Sequence, residues 1–288
     1  MTKSWMRIDV SCGAETADIL AAEFAELFGV SVEYTPEGIR IYMDSVRFAD
    51  ESELLRKTVE SIGSFAAEAE IGLSVAEIAD EDWSQTWKAH FKPLRVGRRF
   101  LVCPTWEDAP ADPGRLVIRI DPGRAFGTGH HETTRLCLEW LESCRPGPEF
   151  KPAESTLLDV GTGSGILAIG GALLGFGKVV GIDDDPEAIE VALENMILNR
   201  LPGKIQIQRA TPEQVSGRFD IIVANIQSMP LIRMSQTLAS KLSEGGRIGL
   251  SGILAEQAEQ VREEYEKRDL RLTGSKSDGE WVLLVFER

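Results

Sequence analysis

The sequence predicts an α/β protein with two modules. From Thr156 onward, short apolar β-branched runs alternate with segments of helical period; the last 18 residues hold two strand-like runs around Ser277-Asp278-Gly279; and the first ~80 residues show a shorter βαββαβ pattern. Strand–helix alternation calls for a mostly parallel sheet with helices on both faces. A turn of that composition joins antiparallel strands, so a hairpin should close the sheet. The βαββαβ order fits a small α+β ferredoxin-like sandwich. With 288 residues, 43% of them hydrophobic, the chain has material for both cores.

Taken in order, WMRIDVS reads as a strand, ETADILAAEFAELFG as an amphipathic helix, and SVEYT and GIRIYM as strands joined at Pro36-Glu37-Gly38. ESELLRKTVESIGSFA is a second helix and EIGLSVAEI a fourth strand. These close a first domain, residues 1–80, that carries no chemical motif and is expected to present a surface to a substrate. EDWSQTWKAHFKPLRVG, stopped by Pro93, predicts a linking helix, and with a connecting strand it makes a linker over residues 81–112. RRFLVCPTW and RLVIRI are strand-like runs flanking the Pro- and charge-rich turn EDAPADPG. The main domain is expected over residues 113–288.

Composition narrows the function. The formal charge of -15 disfavours a phosphate-tracking surface and attracts a basic partner, so direct nucleic-acid contact is not expected. No run approaches the ~20 apolar residues of a membrane span and the start lacks a signal-peptide pattern, so a cytoplasmic protein is expected. Four scattered cysteines and three histidines provide no zinc-ligand spacing. Cys137 and Cys144, two helical turns apart, read as one buried face rather than a disulfide.

Two Gly-Thr-Gly runs lie close together, in AFGTGHHETT and LLDVGTGSGILAIG. In the second, Gly161, Gly163 and Gly165 follow a strand and precede a helix, where backbone can approach a ligand and helix-start amides can donate to it. The spacing is G-x-G-x-G, unlike the G-x-G-x-x-G of dinucleotide sites. Asp183 ends the next strand, KVVGID, about 20 residues on, where it can accept from both hydroxyls of a ribose. FDIIVAN ends on Asn225, an amide that can accept from an amine and donate elsewhere. Glycine loop, ribose carboxylate and strand-end amide together fit S-adenosyl-L-methionine, and the closing hairpin fits a Rossmann-like class I methyltransferase domain.

DPGRAFGTGHHETTRLCLEWLE, the VGTGSG run continuing to DDDPEAI, and FDIIVANIQSMPL resemble successive signatures of the bacterial ribosomal protein L11 methyltransferase (PrmA) family. DWSQTWKAHFKPLRVGRR and SGILAEQAEQV extend the likeness to its linker and late strand and helix. The resemblance implies a protein methyltransferase acting on lysine and N-terminal amines of L11, with the first domain recognising that basic protein. By motif position it carries cofactor contacts onto Thr134, Gly161, Asp183 and Asn225. Where the family often has Thr-His-Pro, this chain has His130-His131-Glu132, and after Asn225 it has Ile-Gln-Ser-Met-Pro. RATPEQV lacks an acidic adenine clamp, so no adenine hydrogen bond is assigned.

In this reading Asn225 is the catalytic residue, orienting a neutral amine. AFGTGHHETT folds over the cofactor, adding Phe126 and Gly127 to the contact set, while the VGTGSG loop adds Gly163 to Gly161. His131 either accepts the amine proton or caps the helix that begins near Thr133 and Thr134.

Overall fold

The computed structural model describes residues 4–28, 30, 32–66, 71–79, 91–122, 127–144 and 154–288. Contacts divide the chain into two units, Met1–His90 and Phe91–Arg288.

In the first unit, β1 (Ser4–Ser11), α1 (Ala14–Phe28), β2 (Val32–Thr35), β3 (Gly38–Asp44), α2 (Ser45–Ala66) and β4 (Gly72–Ala79) give the expected βαββαβ order. The strands pair antiparallel in the order β2-β3-β1-β4. Ile8, Val10, Ile39, Ile41 and Met43 turn to one face, where they meet Leu20, Phe24 and Phe28 of α1 and Leu55 and Val59 of α2. Burying each such side chain is worth roughly 1.5–3 kcal/mol. The second helix starts six residues earlier than its apolar pattern suggests, because Asp44 caps it: the Arg47 amide donates to Asp44 Oδ1 at 3.0 Å.

The second unit holds two sheets. The smaller joins β5 (Leu94–Val96), β6 (Phe100–Pro104) and β7 (Leu116–Ile120), with β5 antiparallel and β7 parallel to β6. Most of the expected linking helix lies outside the described residues; Phe91 onward, including β5 and β6, groups with the second unit. β5 itself carried no sequence signal that set it apart from the end of that helix.

The larger sheet contains β8 (Thr156–Val160), β9 (Lys178–Asp183), β10 (Ile205–Arg209), β11 (Phe219–Asn225), β12 (Leu242–Leu254), β13 (Arg271–Asp278) and β14 (Trp281–Glu287). Its order is β10-β9-β8-β11-β12-β14-β13. β8 to β12 run parallel, whereas β14 is antiparallel to both β12 and β13. The helices are α3 (Glu132–Ser143), α4 (Ile166–Leu174), α5 (Pro186–Leu198), α6 (Ser228–Arg233), α7 (Ser235–Lys241) and α8 (Ala258–Glu266). Alternate strand residues serve two cores: Leu157, Ile221 and Val223 pack with α3 and α4, and Leu158, Ile222 and Leu250 with α6 to α8. Chain order reverses between β8 and β11, so a crevice opens beyond the carboxyl ends of those strands.

Cys137 and Cys144 are buried free thiols on or just after α3. No described helix is long and apolar enough to cross a membrane.

Candidate functional site

The β8–β11 crevice is a cavity of about 840 Å³, lined by residues that follow each parallel strand in turn. Gly161 and Gly163 come from the loop after β8, and Asp183, Asp184 and Asp185 from the end of β9. Ala210 to Glu213 follow β10, Asn225 to Gln227 follow β11, Gly252 lies in β12 and Trp281 begins β14. Strand order therefore fixes the polarity of the cavity. Its carboxylates sit over β9 and β10, while an amide and an indole sit over β11 to β14.

The glycine loop has φ values that L side chains rarely adopt, +69° at Gly161 and +52° at Gly163. A Cβ on Gly161 would also run into the Ile226 side chain. The loop is fastened from two sides. Asp183 Oδ2 accepts the Gly163 amide at 2.9 Å, and Oδ1 accepts the Asp185 amide at 3.1 Å. Each oxygen keeps a lone pair for a ligand donor. Asp185 is engaged locally, capping α5 through the Glu187 amide at 2.9 Å.

Beneath the loop, fully buried Asp159 accepts from the Thr162 hydroxyl at 2.6 Å and the Ala168 amide at 3.0 Å, while its Oδ1 has no partner among the described residues. Burial pushes this carboxyl up to about 7, against the lowering pull of its two donors, and the nearby Asp183 charge adds to the rise.

Asn225 lines the cavity. Its Nδ2 donates to Thr134 Oγ1 at 3.4 Å, and its buried Oδ1 has no partner among the described residues. That leaves one unmet acceptor at the wall, a costly arrangement that a donor from a ligand would relieve. Thr134 is itself fully buried behind Asn225 and is not among the lining residues; from α3 those are Thr133 and, at its cap, His131.

His131 is the N-cap of α3: the Thr133 amide donates to its Nδ1 at 3.3 Å, and the Thr133 hydroxyl lies 2.8 Å from the same nitrogen. Its ring meets the Trp281 indole edge to face at 5.0 Å. Arg135 holds this corner together. It donates to Asp278 at 2.8 Å, to Glu132 at 3.0 Å and to the His130 carbonyl, tying α3 to the closing hairpin that bears Trp281. Glu132 is thus an anchor for Arg135, which together with its own backbone amide holds its carboxyl below the ordinary range.

Among the residues expected to contact a cofactor, Gly161, Gly163, Asp183 and Asn225 line the cavity. Phe126 lies outside the described residues. Gly127 is not a lining residue; its carbonyl accepts the Ser164 hydroxyl at 2.6 Å, and a Cβ there would come within 2.7 Å of Ser164 Oγ. Asn195, on α5 and fully buried, extends that link: it donates to Ser164 O at 2.9 Å and accepts the Asp121 amide at 3.1 Å. The two Gly-Thr-Gly runs are therefore joined through Ser164 and Asn195. Trp281 is not singled out by the sequence, although an indole directly after the hairpin turn is a weak signal. The Ala210–Glu213 wall lies in RATPEQV, read from the sequence as lacking an acidic clamp, yet Glu213 lines the cavity.

Comparison with known proteins agrees with this geometry. The family profile described as ribosomal protein L11 methyltransferase (PrmA) matches residues 4–288. A ribosomal protein L11 methyltransferase of Pelobacter propionicus is 42% identical, covering all of this chain and 99% of the relative. One from Geobacter sulfurreducens is 39% identical over 99% of both chains. The crystal structure of a ribosomal protein L11 methylase from Lactobacillus delbrueckii subsp. bulgaricus superposes with a TM-score of 0.63 at 34% identity, covering 69% of this chain and 99% of that one. With a strand-end amide, a glycine loop and a strand-end carboxylate in one cavity, and with relatives matched along their whole length, this chain belongs to the ribosomal protein L11 methyltransferase (PrmA) family.

Proposed function

We propose that this chain transfers methyl groups from S-adenosyl-L-methionine to lysine side-chain and N-terminal amines of ribosomal protein L11, acting in the cytoplasm where that substrate is made. The observation that carries the reading is Asn225, a cavity-lining residue whose buried Oδ1 has no partner among the described residues.

The residues present fit the cofactor. Asp183 has spare lone pairs for a ribose diol, the loop at Gly161 and Gly163 leaves room for backbone contact, and Ile182, Ala188, Ala210 and Pro212 form an apolar wall for a purine ring. When bound, S-adenosyl-L-methionine supplies a methyl group already activated on a sulfonium. The remaining work is to present a neutral amine in line.

A lysine ammonium, with a reference pKa of ~10.4, has no lone pair and must first lose a proton. Asn225 suits that requirement. Its neutral oxygen accepts one N–H and aims the nitrogen, yet favours the ammonium less than a carboxylate would. Thr134 accepts from the amide nitrogen at 3.4 Å and so fixes the orientation of the amide. His131 is assigned to capping: its Nδ1 already accepts from Thr133 and cannot take a further proton without giving up that cap. The rings of His131 and Trp281 make the wall along which an alkyl chain would lie. Residues 1–90 are assigned to recognition of the protein substrate.

The test is methyl transfer to purified L11 from labelled cofactor. Asn225→Ala should lower kcat roughly 100-fold, the scale expected when a positioning contact is lost, with an unfolding midpoint close to the parent's. Normal turnover in that variant would remove Asn225 from its role, and transfer to another protein or a small molecule in preference to L11 would replace the substrate.

A further inference from the structure

Two rings frame one end of the cavity, and they come from distant parts of the chain. His131 caps α3, Trp281 opens β14, and the rings meet edge to face at 5.0 Å. What fixes that spacing lies behind them. Arg135 is not a lining residue, and its side chain is only 25% exposed. Its guanidinium donates through Nε and Nη2 to Asp278 Oδ2 at 3.2 and 2.8 Å, through Nη2 to Glu132 Oε1 at 3.0 Å, and through Nη1 to the His130 carbonyl.

These three acceptors stand in a definite relation to the two rings. His130 and Glu132 are the chain neighbours of His131, so the guanidinium grips the cap residue from both sides. Asp278 is paired with Trp281 in the β13–β14 register, so holding Asp278 holds the strand position that carries the indole. One planar cation thus spans 143 positions of sequence and sets both ring-bearing segments at once. A rigid fork of N–H donors transmits geometry that a single ammonium cannot.

The hairpin does not rely on this bridge for its attachment. Leu136 and Trp140 of α3 share an apolar core with Leu283 of β14, and Lys276 of β13 pairs with Glu139, one turn further along α3. That second pair is exposed at its lysine, so it adds little energy. The same two elements are therefore bridged twice, once beside the rings and once away from them.

We propose that Arg135 is a positioning residue for methyl transfer: its bridge to Asp278, Glu132 and the His130 carbonyl sets the spacing of the His131 and Trp281 rings, and with it the side of the cavity that receives the amine. The inference rests on the reading of this chain as a protein methyltransferase whose substrate lies along those rings.

Steady-state methylation of purified L11 by the full chain, with L11 and cofactor varied separately, reads the bridge. Arg135→Ala should lower kcat/KM for L11 about tenfold while KM for S-adenosyl-L-methionine stays within about twofold. Methylguanidinium chloride should restore turnover in that variant, and potassium chloride at the same concentration should not. Asp278→Ala cuts the bridge from the hairpin side and carries the same test should Arg135→Ala fail to fold; the double variant should be no worse than Arg135→Ala. Lys276→Gln, which cuts the other bridge, should leave kcat/KM for L11 within about twofold. Unchanged kcat/KM in Arg135→Ala, an equal loss in Lys276→Gln, or a loss that cofactor KM shares and methylguanidinium does not repair overturns the assignment. If the parent enzyme transfers no methyl to L11, the substrate reading fails by itself, and fluorine NMR of the fluorotryptophan-labelled chain still decides the bridge. The Trp281 line, assigned with Trp281→Phe, should shift or broaden in Arg135→Ala and not in Lys276→Gln; a line unmoved in Arg135→Ala overturns the inference.

Discussion

The two units solve the same packing problem with different interiors. Thr16 is the one buried polar side chain of the first unit among the described residues, whereas the second buries Thr133, Thr134, Asp159, Thr162, Ser164, Asn195 and Ser251, among others. Burying polar groups costs free energy unless each is hydrogen-bonded, so a fold that needs only a core avoids them. In the second unit they lie under and behind the cavity. Asp159 fastens the glycine loop, Ser164 and Asn195 join it to the segment ahead of α3, and Thr134 aligns Asn225. The first unit has no such network among its described residues, and its excess of acidic side chains is what sets it apart. The recognition role proposed for it would draw on that charge rather than on a buried polar network.

The largest expected effect concerns Asp159. Burial raises its carboxyl to about 7, above its ordinary value, so the folded chain holds this proton more tightly than the unfolded chain does. Its stabilising contribution is complete at low pH and is lost as pH rises through 7. Asp159→Asn removes that dependence. The stability difference, variant minus parent, should therefore move in favour of the variant by about 3 kcal/mol between pH 5 and pH 8, measured by urea unfolding. A difference that stays flat would show that the buried polar layer is not under the stated electrostatic load.

Next in size is Asn195→Ala. It removes the donor to the Ser164 carbonyl and the acceptor of the Asp121 amide, at a cost of about 2 kcal/mol in unfolding free energy. Because the same contacts hold the glycine loop, KM for the cofactor should rise along with the loss of stability. A stability loss without any change in cofactor KM would separate the network from the site and weaken the contrast between the units.

The smallest effect should come from the first unit. Glu60→Gln with Glu77→Gln, both on exposed positions, should alter stability by less than about 0.5 kcal/mol. It should raise KM for L11 about threefold at low salt, with the difference fading at high salt. A change in cofactor KM from the same pair would contradict the division of labour.

Much of this was legible beforehand, for reasons particular to the residues. Gly161 and Gly163 announced a loop because only glycine tolerates such backbone, and Asp183 and Asn225 stood at the ends of apolar runs, where an α/β sheet exposes its ligands. The early start of α2 was also written in the chain, at Asp44, but the apolar period drew the eye to Glu51 instead. Trp281 and Pro212 carried no comparable pattern, since what makes them wall residues is the neighbour across the crevice.

The sequence by itself determined the order of strands and helices, the left-handed glycine turns and the polar residues at strand ends, because each depends on local backbone preference or on the burial period of a single element. Tertiary structure alone decided that Ser164 and Asn195 would join the glycine loop to the segment ahead of α3, and that His131 would cap α3 against Trp281. Those outcomes depend on which strand lies beside which. Such pairing comes from contacts between residues distant in the chain, and no local pattern encodes it.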